Sequence, residues 1–133
     1  MKYPSMEAKQ TLAAHTAGCY CISFDPTGQY FATGSADSLV SLWDVKDKVC
    51  VRTLTRLDWP VRTLSFSHDG RYIASASEDL QIDIAEVATG EAAHSLPVRS
   101  AMNSVAWSPT HTLLAFAGDD KDHPGVLRVF GYH

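Results

Sequence analysis

The sequence has 133 residues, of which 45% are apolar and 20% charged, and its formal net charge is −4. This composition is typical of one folded domain with a substantial core, and it excludes a disordered chain. The acidic balance excludes a generally basic nucleic-acid binder, because such a protein clusters lysine and arginine to displace counterions from phosphate.

Short predicted strands follow one another from residue 19 onward. Each is rich in β-branched, aromatic and small residues, and turn sequences such as Asp-Pro-Thr-Gly separate them. The first four are Cys19–Phe24, Tyr30–Gly34, Leu39–Trp43 and Val49–Leu54. The next four are Val61–Phe66, Tyr72–Ala76, Gln81–Ala85 and Ala92–Leu96, and a later one is Val126–Gly131. Many short strands at even spacing predict an all-β sandwich, barrel or propeller.

An internal repeat underlies this spacing. Residues 24–32, 66–74 and 107–115 align with one another, and their first positions are 42 and 41 residues apart. A second anchor follows each segment, in residues 34–37, 76–79 and 117–120. A period of about 40 residues with four strands per period is typical of a β-propeller, in which each repeat forms one blade.

Residues 35–44, SADSLVSLWD, end in the Trp-Asp pair of the WD repeat, and nearly the whole chain resembles that family. The resemblance implies an all-β WD-repeat β-propeller with three four-stranded blades per chain. We expect a single WD-repeat domain over residues 1–133, with blade 1 at 15–55, blade 2 at 57–97 and blade 3 at 98–133.

In that family a buried, hydrogen-bonded set of His, Ser, Asp and Trp fixes each blade. The resemblance assigns this structural role to His15, Ser35, Asp37 and Trp43 in blade 1, to Ser77 and Asp79 in blade 2, and to Asp120 in blade 3. Leu57 and Ala85 replace the His and Trp of blade 2, and Val98, Gly118 and Phe130 replace three members in blade 3. Only blade 1 is therefore expected to hold the full set, so blades 2 and 3 depend more on apolar packing.

Three blades are too few to close a ring, since propellers use about four to eight. We expect two chains to form one six-bladed ring as a homodimer, in which the segment 8–13 of each chain completes the third blade of the other. The rival interpretation is that the sequence is a fragment of a longer propeller.

His15, Ser35 and Asp37 are the residue types of a hydrolase triad, because a nucleophilic serine needs a histidine base oriented by a carboxylate. Their spacing is that of the structural set, so no enzyme activity is expected. Cys19 and Cys21 share one strand face, but Cys50 is a poor third ligand, so neither a metal site nor a cofactor is expected. Three cysteines do not form a disulfide scaffold, which favours a reducing compartment.

Two loops are candidates for partner contact. The charged run 119–125 is either a solvated loop or a contact, and it departs from the calcium-loop pattern. The loop entering blade 2 contains Asp58 and Trp59, flanked by Arg56 and Arg62. An aromatic residue on such a loop anchors interfaces. Alternatively, the Trp59 ring covers the channel mouth or Pro60. Two arginines are too few for a nucleic-acid site.

A finer resemblance rests on residues 30–37, 56–70 and 82–86. The last of these, Ile-Asp-Ile-Ala-Glu, stands where a Trp-Asp ending is expected. These stretches resemble the WD-repeat subunit family of the THO complex, an mRNA-export assembly joined to transcription. The resemblance implies a non-catalytic scaffold with protein partners of the THO/TREX type, RNA contact only through them, and a nuclear location, with a cytoplasmic one as the alternative. The other interpretation is a generic WD-repeat scaffold, or a half-propeller fragment, with no export role. No membrane contact is expected, since no apolar run is long enough.

Overall fold

The computed structural model describes residues 18–98, 102–118 and 127–131, except for the side chains of Asn103 and Leu127. Every regular element in these ranges is a β-strand, and none is a helix able to span a membrane. The strands are β1 Cys19–Phe24, β2 Tyr30–Ser35, β3 Val40–Asp44, β4 Cys50–Leu54, β5 Thr63–Phe66, β6 Tyr72–Ala76, β7 Gln81–Glu86, β8 Ala92–Pro97, β9 Met102–Trp107, β10 Leu113–Gly118 and β11 Leu127–Gly131. The strand ends given by the sequence analysis are confirmed to within two residues.

The strands form three antiparallel sheets, each a simple meander. The sheets are β1-β2-β3-β4, β5-β6-β7-β8 and, among the described residues, β9-β10-β11. We call them blades 1, 2 and 3. The first strand of each blade packs beside the first strand of the next, so β5 lies between β1 and β9. This arrangement is an arc of three propeller blades. The segment 8–13, His15 and Asp120 lie outside the described residues.

Tight turns join the first two strands of each blade. Between β1 and β2, the Asp25 carboxylate accepts a hydrogen bond from the backbone N–H of Thr27 at 3.0 Å, and Gly28 has a φ of +81°. Between β5 and β6, the Ser67 hydroxyl donates to Asp69 at 2.7 Å, and Gly70 has a φ of +72°. Glycine suits both positions because it alone adopts a positive φ at no steric cost.

The core consists of two apolar layers, one at each junction between blades. The layer between blades 1 and 2 includes Leu42, Val61 and Ile73, which are all fully buried. The layer between blades 2 and 3 includes Ile82 and Leu114, which are also fully buried. Each sheet is therefore held by the neighbour that covers its face, as in other repeat proteins.

Gly34 sets the closest approach between blades 1 and 2. A methyl group added at Gly34 would lie 2.6 Å from Cγ1 of Val61 and 2.7 Å from Sγ of Cys21. Val61 has no exposed surface and cannot move aside. The absence of a side chain at position 34 is therefore a requirement of the junction.

We expect Gly34→Ala to lower the free energy of unfolding by about 1–3 kcal/mol, because overpacking a filled junction displaces both blades. Urea unfolding followed by circular dichroism measures the change. Gly18→Ala is the control, since the nearest atom to an added methyl there is 3.7 Å away. Equal stability of the two variants would contradict the tight junction.

Candidate functional site

The Asp79 carboxylate organises one end of blade 2. It accepts a hydrogen bond from the hydroxyl of Ser77, and the Ser77 oxygen accepts the Asp79 backbone N–H at 3.0 Å. Its Oδ2 atom also accepts the backbone N–H groups of Asp58 at 3.1 Å and Trp59 at 3.2 Å. Asp79 therefore fastens the loop entering blade 2 to the turn between β6 and β7.

This loop is fixed at further points. Leu57 is buried in the layer between blades 1 and 2. The backbone N–H of Val61 donates to the carbonyl of Ser35 at 2.9 Å, and that of Arg62 donates to the carbonyl of Ala76 at 2.9 Å. A connection without regular structure is thus held along its whole length, and it has little freedom to lose when a partner binds.

Trp59 and Leu80 are exposed at this end of blade 2, with 53% and 61% of their surface accessible. Leu80 follows Asp79 directly, so the carboxylate that holds Trp59 also positions Leu80. Beside them Arg62 forms an exposed ion pair with Glu78. We call Asp58, Trp59, Glu78 and Leu80 the Trp59 surface. Leu80 was not predicted as a contact residue, because a single apolar residue in a turn forms no recognisable sequence pattern.

Blade 1 repeats the same turn. Ser35 donates its hydroxyl to Asp37, and the carboxylate of Asp37 accepts the backbone N–H of Leu39 at 3.1 Å. Trp43 lies on the same blade, and its Nε1–H donates to Oγ1 of Thr33 at 3.1 Å. The structure thus joins Ser35 to Asp37 and Trp43 to Thr33.

Thr33 was missing from the sequence analysis. Both Thr33 and Trp43 are buried, and β2 and β3 pair so that the two residues are diagonal neighbours on one face. The signal was present in the repeat alignment, since Ser75 carries a hydroxyl at the equivalent position of blade 2. Position 116, which is Phe, breaks the pattern in blade 3.

Arg56 is engaged within the chain. Its Nε lies 2.7 Å from Oδ1 of Asp83 and its Nη2 lies 3.0 Å from Oδ2, while Nη1 donates to the carbonyl of Gly90 at 3.0 Å. Asp83 is buried on β7. This bidentate pair connects the segment leaving blade 1 to blade 2. The sequence signal for this pair is a carboxylate, Asp83, within an apolar run, because a buried carboxylate needs a cation nearby.

The Ser35 hydroxyl is fully buried and hydrogen-bonded to Asp37. A hydroxyl in that position has no access to a substrate. The three cysteines are unpaired thiols. Burial, reinforced by the neighbouring Cys19, raises the pKa of Cys21 to about 11. Cys21 is therefore protonated at neutral pH.

A cleft of about 230 Å³ lies between the turns at the opposite end of blades 1 and 2. Asp25, Asp69, Arg71 and Glu86 line it. Burial acts to raise the pKa of Asp69, but hydrogen bonds from Ser67 and from the Arg71 backbone outweigh it and lower that pKa. Arg71 and Glu86 approach each other to 3.6 Å. The hydrogen bonds and the ion pair of these polar groups stabilise the turns that form the cleft. Among the described residues no group of three or more His, Cys, Asp or Glu side chains is arranged to hold a metal.

Comparison with known protein families agrees with the arc of blades. A family model described as "WD domain, G-beta repeat" matches residues 6–44, and one described as "Anaphase-promoting complex subunit 4 WD40 domain" matches residues 55–110. A crystal structure of the Cps50 (Swd1) β-propeller domain of Myceliophteria thermophila aligns with a TM-score of 0.71 and 22% identity, over 87% of this chain and 40% of that one. The chain is therefore a WD40-repeat protein of the β-propeller class.

Within this class, the chain is 61% identical to THO complex subunit 3 of Arabidopsis thaliana, over 99% of its own length and 44% of that protein. It is 44% identical to WD repeat-containing protein AAC3 of Dictyostelium discoideum, over 93% of its own length and 26% of that protein. The resemblance to the THO subunit family predicted from the sequence is confirmed. The chain spans less than half the length of either relative.

We expect Arg56→Ala to lower the free energy of unfolding by about 2–3 kcal/mol, because it leaves the buried Asp83 carboxylate without its cation. The expected loss is smaller than for a fully buried ion pair, because 32% of the Arg56 side chain is exposed and water screens the pair there. The matched control is Arg62→Ala, which breaks an exposed pair worth less than about 1 kcal/mol. Urea unfolding of both variants measures the difference, and a smaller effect at Arg56 than at Arg62 would contradict this assignment.

Proposed function

We propose that this chain is a non-catalytic protein-interaction scaffold of a THO-type mRNA-export assembly in the nucleus. The observation that carries the proposal is the 61% identity to THO complex subunit 3 across nearly the whole chain. Its partners are other protein subunits of that assembly, and RNA is reached through them. The formal net charge of −4 agrees with this role, because a chain that gripped RNA directly would display a basic surface.

The scaffold acts by presenting the Trp59 surface in a fixed position. Tryptophan is enriched among the residues that dominate the binding energy of interfaces, since it buries a large area with few rotatable bonds. The hydrogen bonds from the backbone of Asp58 and Trp59 to Asp79 hold the backbone that carries the ring in place before a partner arrives. Affinity rises when the ordering of a loop precedes binding. The residues proposed for partner contact are Arg56, Asp58, Trp59 and Arg62, of which Arg56 also pairs with Asp83 and Arg62 with Glu78.

We further propose that two chains complete one six-bladed ring, with the segment 8–13 of each supplying the missing strand of the other's third blade. The support is a row of exposed apolar side chains on β1, formed by Ile22 and Phe24, whose surfaces are 63% and 66% exposed. A row of this kind on a soluble protein marks an interaction surface. A ring of two chains covers it at both junctions.

We expect affinity capture with the tagged wild-type chain to recover THO subunits from nuclear extract. Trp59→Ala should reduce that recovery at least tenfold, because it removes the exposed anchor while leaving Asp79 and the backbone of the loop. Val49→Ala is the control, since it trims an exposed apolar side chain at the opposite end of blade 1. No THO subunits with the folded wild-type chain would overturn the assembly, and equal recovery with Trp59→Ala would overturn the site.

Size exclusion with light scattering tests the ring. We expect one species with twice the chain mass of 14.5 kDa at micromolar concentration. A monodisperse monomer, or only heterogeneous aggregates, would contradict a ring of two chains.

A further inference from the structure

The Trp59 surface combines exposed apolar side chains with carboxylates. Trp59 and Leu80 each expose more than half of their surface. Asp58 and Glu78 are also exposed and lie within two positions of them in the chain. An exposed apolar patch with a polar rim is typical of a contact site for another molecule. The charges of the rim therefore indicate what kind of molecule this surface binds.

The rim of the Trp59 surface is acidic. Asp58, Glu78 and Asp79 contribute carboxylates, whereas the guanidinium beside them is that of Arg62, which pairs with Glu78. The Asp79 carboxylate accepts its hydrogen bonds from backbone N–H groups and from the Ser77 hydroxyl, and none of these donors carries a positive charge. The surface therefore attracts cations and repels phosphate groups.

The Asp58 carboxylate has no cationic partner within the described part of the chain. The ion pairs there join Arg56 to Asp83, Arg62 to Glu78 and Arg71 to Glu86. The backbone N–H of Asp58 donates to Asp79, so the residue is fixed in position while its charge remains available to another molecule.

The opposite end of blade 2 shows how an aromatic ring and a carboxylate hold one arginine. The guanidinium carbon of Arg71 lies 5.1 Å from the ring centroid of Tyr72, and its Nη2 atom lies 3.6 Å from Oε1 of Glu86. Trp59 and Asp58 are adjacent in the chain and offer the same two groups, but no cation of the described residues lies over the Trp59 ring. Tryptophan is the strongest aromatic partner for a cation.

We propose that the Trp59 surface binds an arginine-containing segment of a partner protein, with the guanidinium stacked on the Trp59 ring and paired with the Asp58 carboxylate. The proposal rests on the proposed scaffold function and names the chemistry of its partner. Arginine fits better than lysine, because its planar guanidinium stacks on an aromatic face and donates two parallel hydrogen bonds to a carboxylate. An aliphatic neighbour of the arginine covers Leu80.

Matched peptides test this chemistry on the wild-type chain. The probe is acetyl-Leu-Arg-Leu-amide, and the comparison peptide carries citrulline, an uncharged isostere of arginine. Binding is followed by the indole N–H signal of Trp59 and the backbone N–H signal of Leu80 in nitrogen-15 NMR. The other tryptophans, Trp43 and Trp107, are buried, so the Trp59 signal reports on the surface.

We expect the arginine peptide to bind at least about fivefold more tightly than the citrulline peptide, because the charge contributes both to stacking and to the ion pair. Added salt should weaken the arginine peptide alone, since it screens exposed charges. A lysine peptide should bind with intermediate affinity. Equal affinity of the arginine and citrulline peptides, or no shift of the Trp59 signal with either, would overturn the proposal.

Two variants assign the contact to named groups. Asp58→Asn removes the carboxylate with little change in shape, and Trp59→Leu keeps an apolar side chain without an aromatic face. Each should weaken the arginine peptide about two- to fivefold, as followed by the Leu80 signal. The control is Asp47→Asn, which removes the same charge at an exposed position on the opposite end of blade 1. An equal loss with Asp47→Asn would show general charge attraction and not this site.

Single-stranded RNA is the alternative occupant, because bases also stack on aromatic side chains. The probe for it is an oligonucleotide of uridine alone, which we expect to leave the Trp59 signal unchanged. An RNA site would instead bind this oligonucleotide, and it would bind more tightly in Asp58→Asn, because that variant lacks a carboxylate that repels phosphate. That result would overturn the arginine proposal.

Capture of THO subunits separates this proposal from the proposed function. We expect Asp58→Asn and Trp59→Leu to reduce recovery of the subunits, with circular dichroism verifying that both variants fold. If Trp59→Ala loses the subunits while these two variants retain them, the surface is the contact but the arginine chemistry is wrong. If the arginine peptide binds as expected and the wild-type chain recovers no THO subunits, the assembly is wrong and the arginine chemistry stands.

Discussion

The covering of sheet faces is the constraint on which the rest of the structure depends. In the described part of the chain both faces of each blade are apolar and no helix covers them, so a sheet is protected only by another sheet. The two internal junctions satisfy this need with dense layers around Val61 and Leu114. Close contact in turn restricts the sequence, because Gly34 leaves no space for even one methyl group.

Polar side chains fix the loops between blades, which the apolar layers do not hold. The loops between blades carry backbone N–H groups that no strand satisfies, and the repeated Ser-x-Asp turn provides acceptors for them. In blade 1 the Asp37 carboxylate bonds within its own turn. In blade 2, where Leu57 stands in place of the histidine of the WD pattern, Asp79 holds the loop that bears Trp59. A departure from the family pattern thus coincides with the exposed tryptophan.

The sequence predicted the strands well because the repeat displays each element three times, and chance agreement in one copy is corrected by the others. The repeated Ser-x-Asp turn indicated Asp79, whereas Trp59 was of interest because an aromatic residue on a loop lies outside the repeat pattern. It did not predict that Trp43 bonds to Thr33, or that Arg56 bonds to Asp83. Both contacts join residues on different strands or loops, so they depend on the register and on the distance between blades. A local sequence pattern determines neither the register nor the distance between blades.

The loop between β4 and β5 connects the stability of the arc to its surface. Arg56 ties the start of this loop to Asp83 and Gly90 of blade 2, and Asp79 ties its centre. The buried Leu57 lies between these two attachments. Trp59 therefore takes its position from the junction between blades 1 and 2 and not from the loop alone. A change that loosens that junction moves the exposed ring, so the packing of the blades and the geometry offered to a partner are one property of this fold.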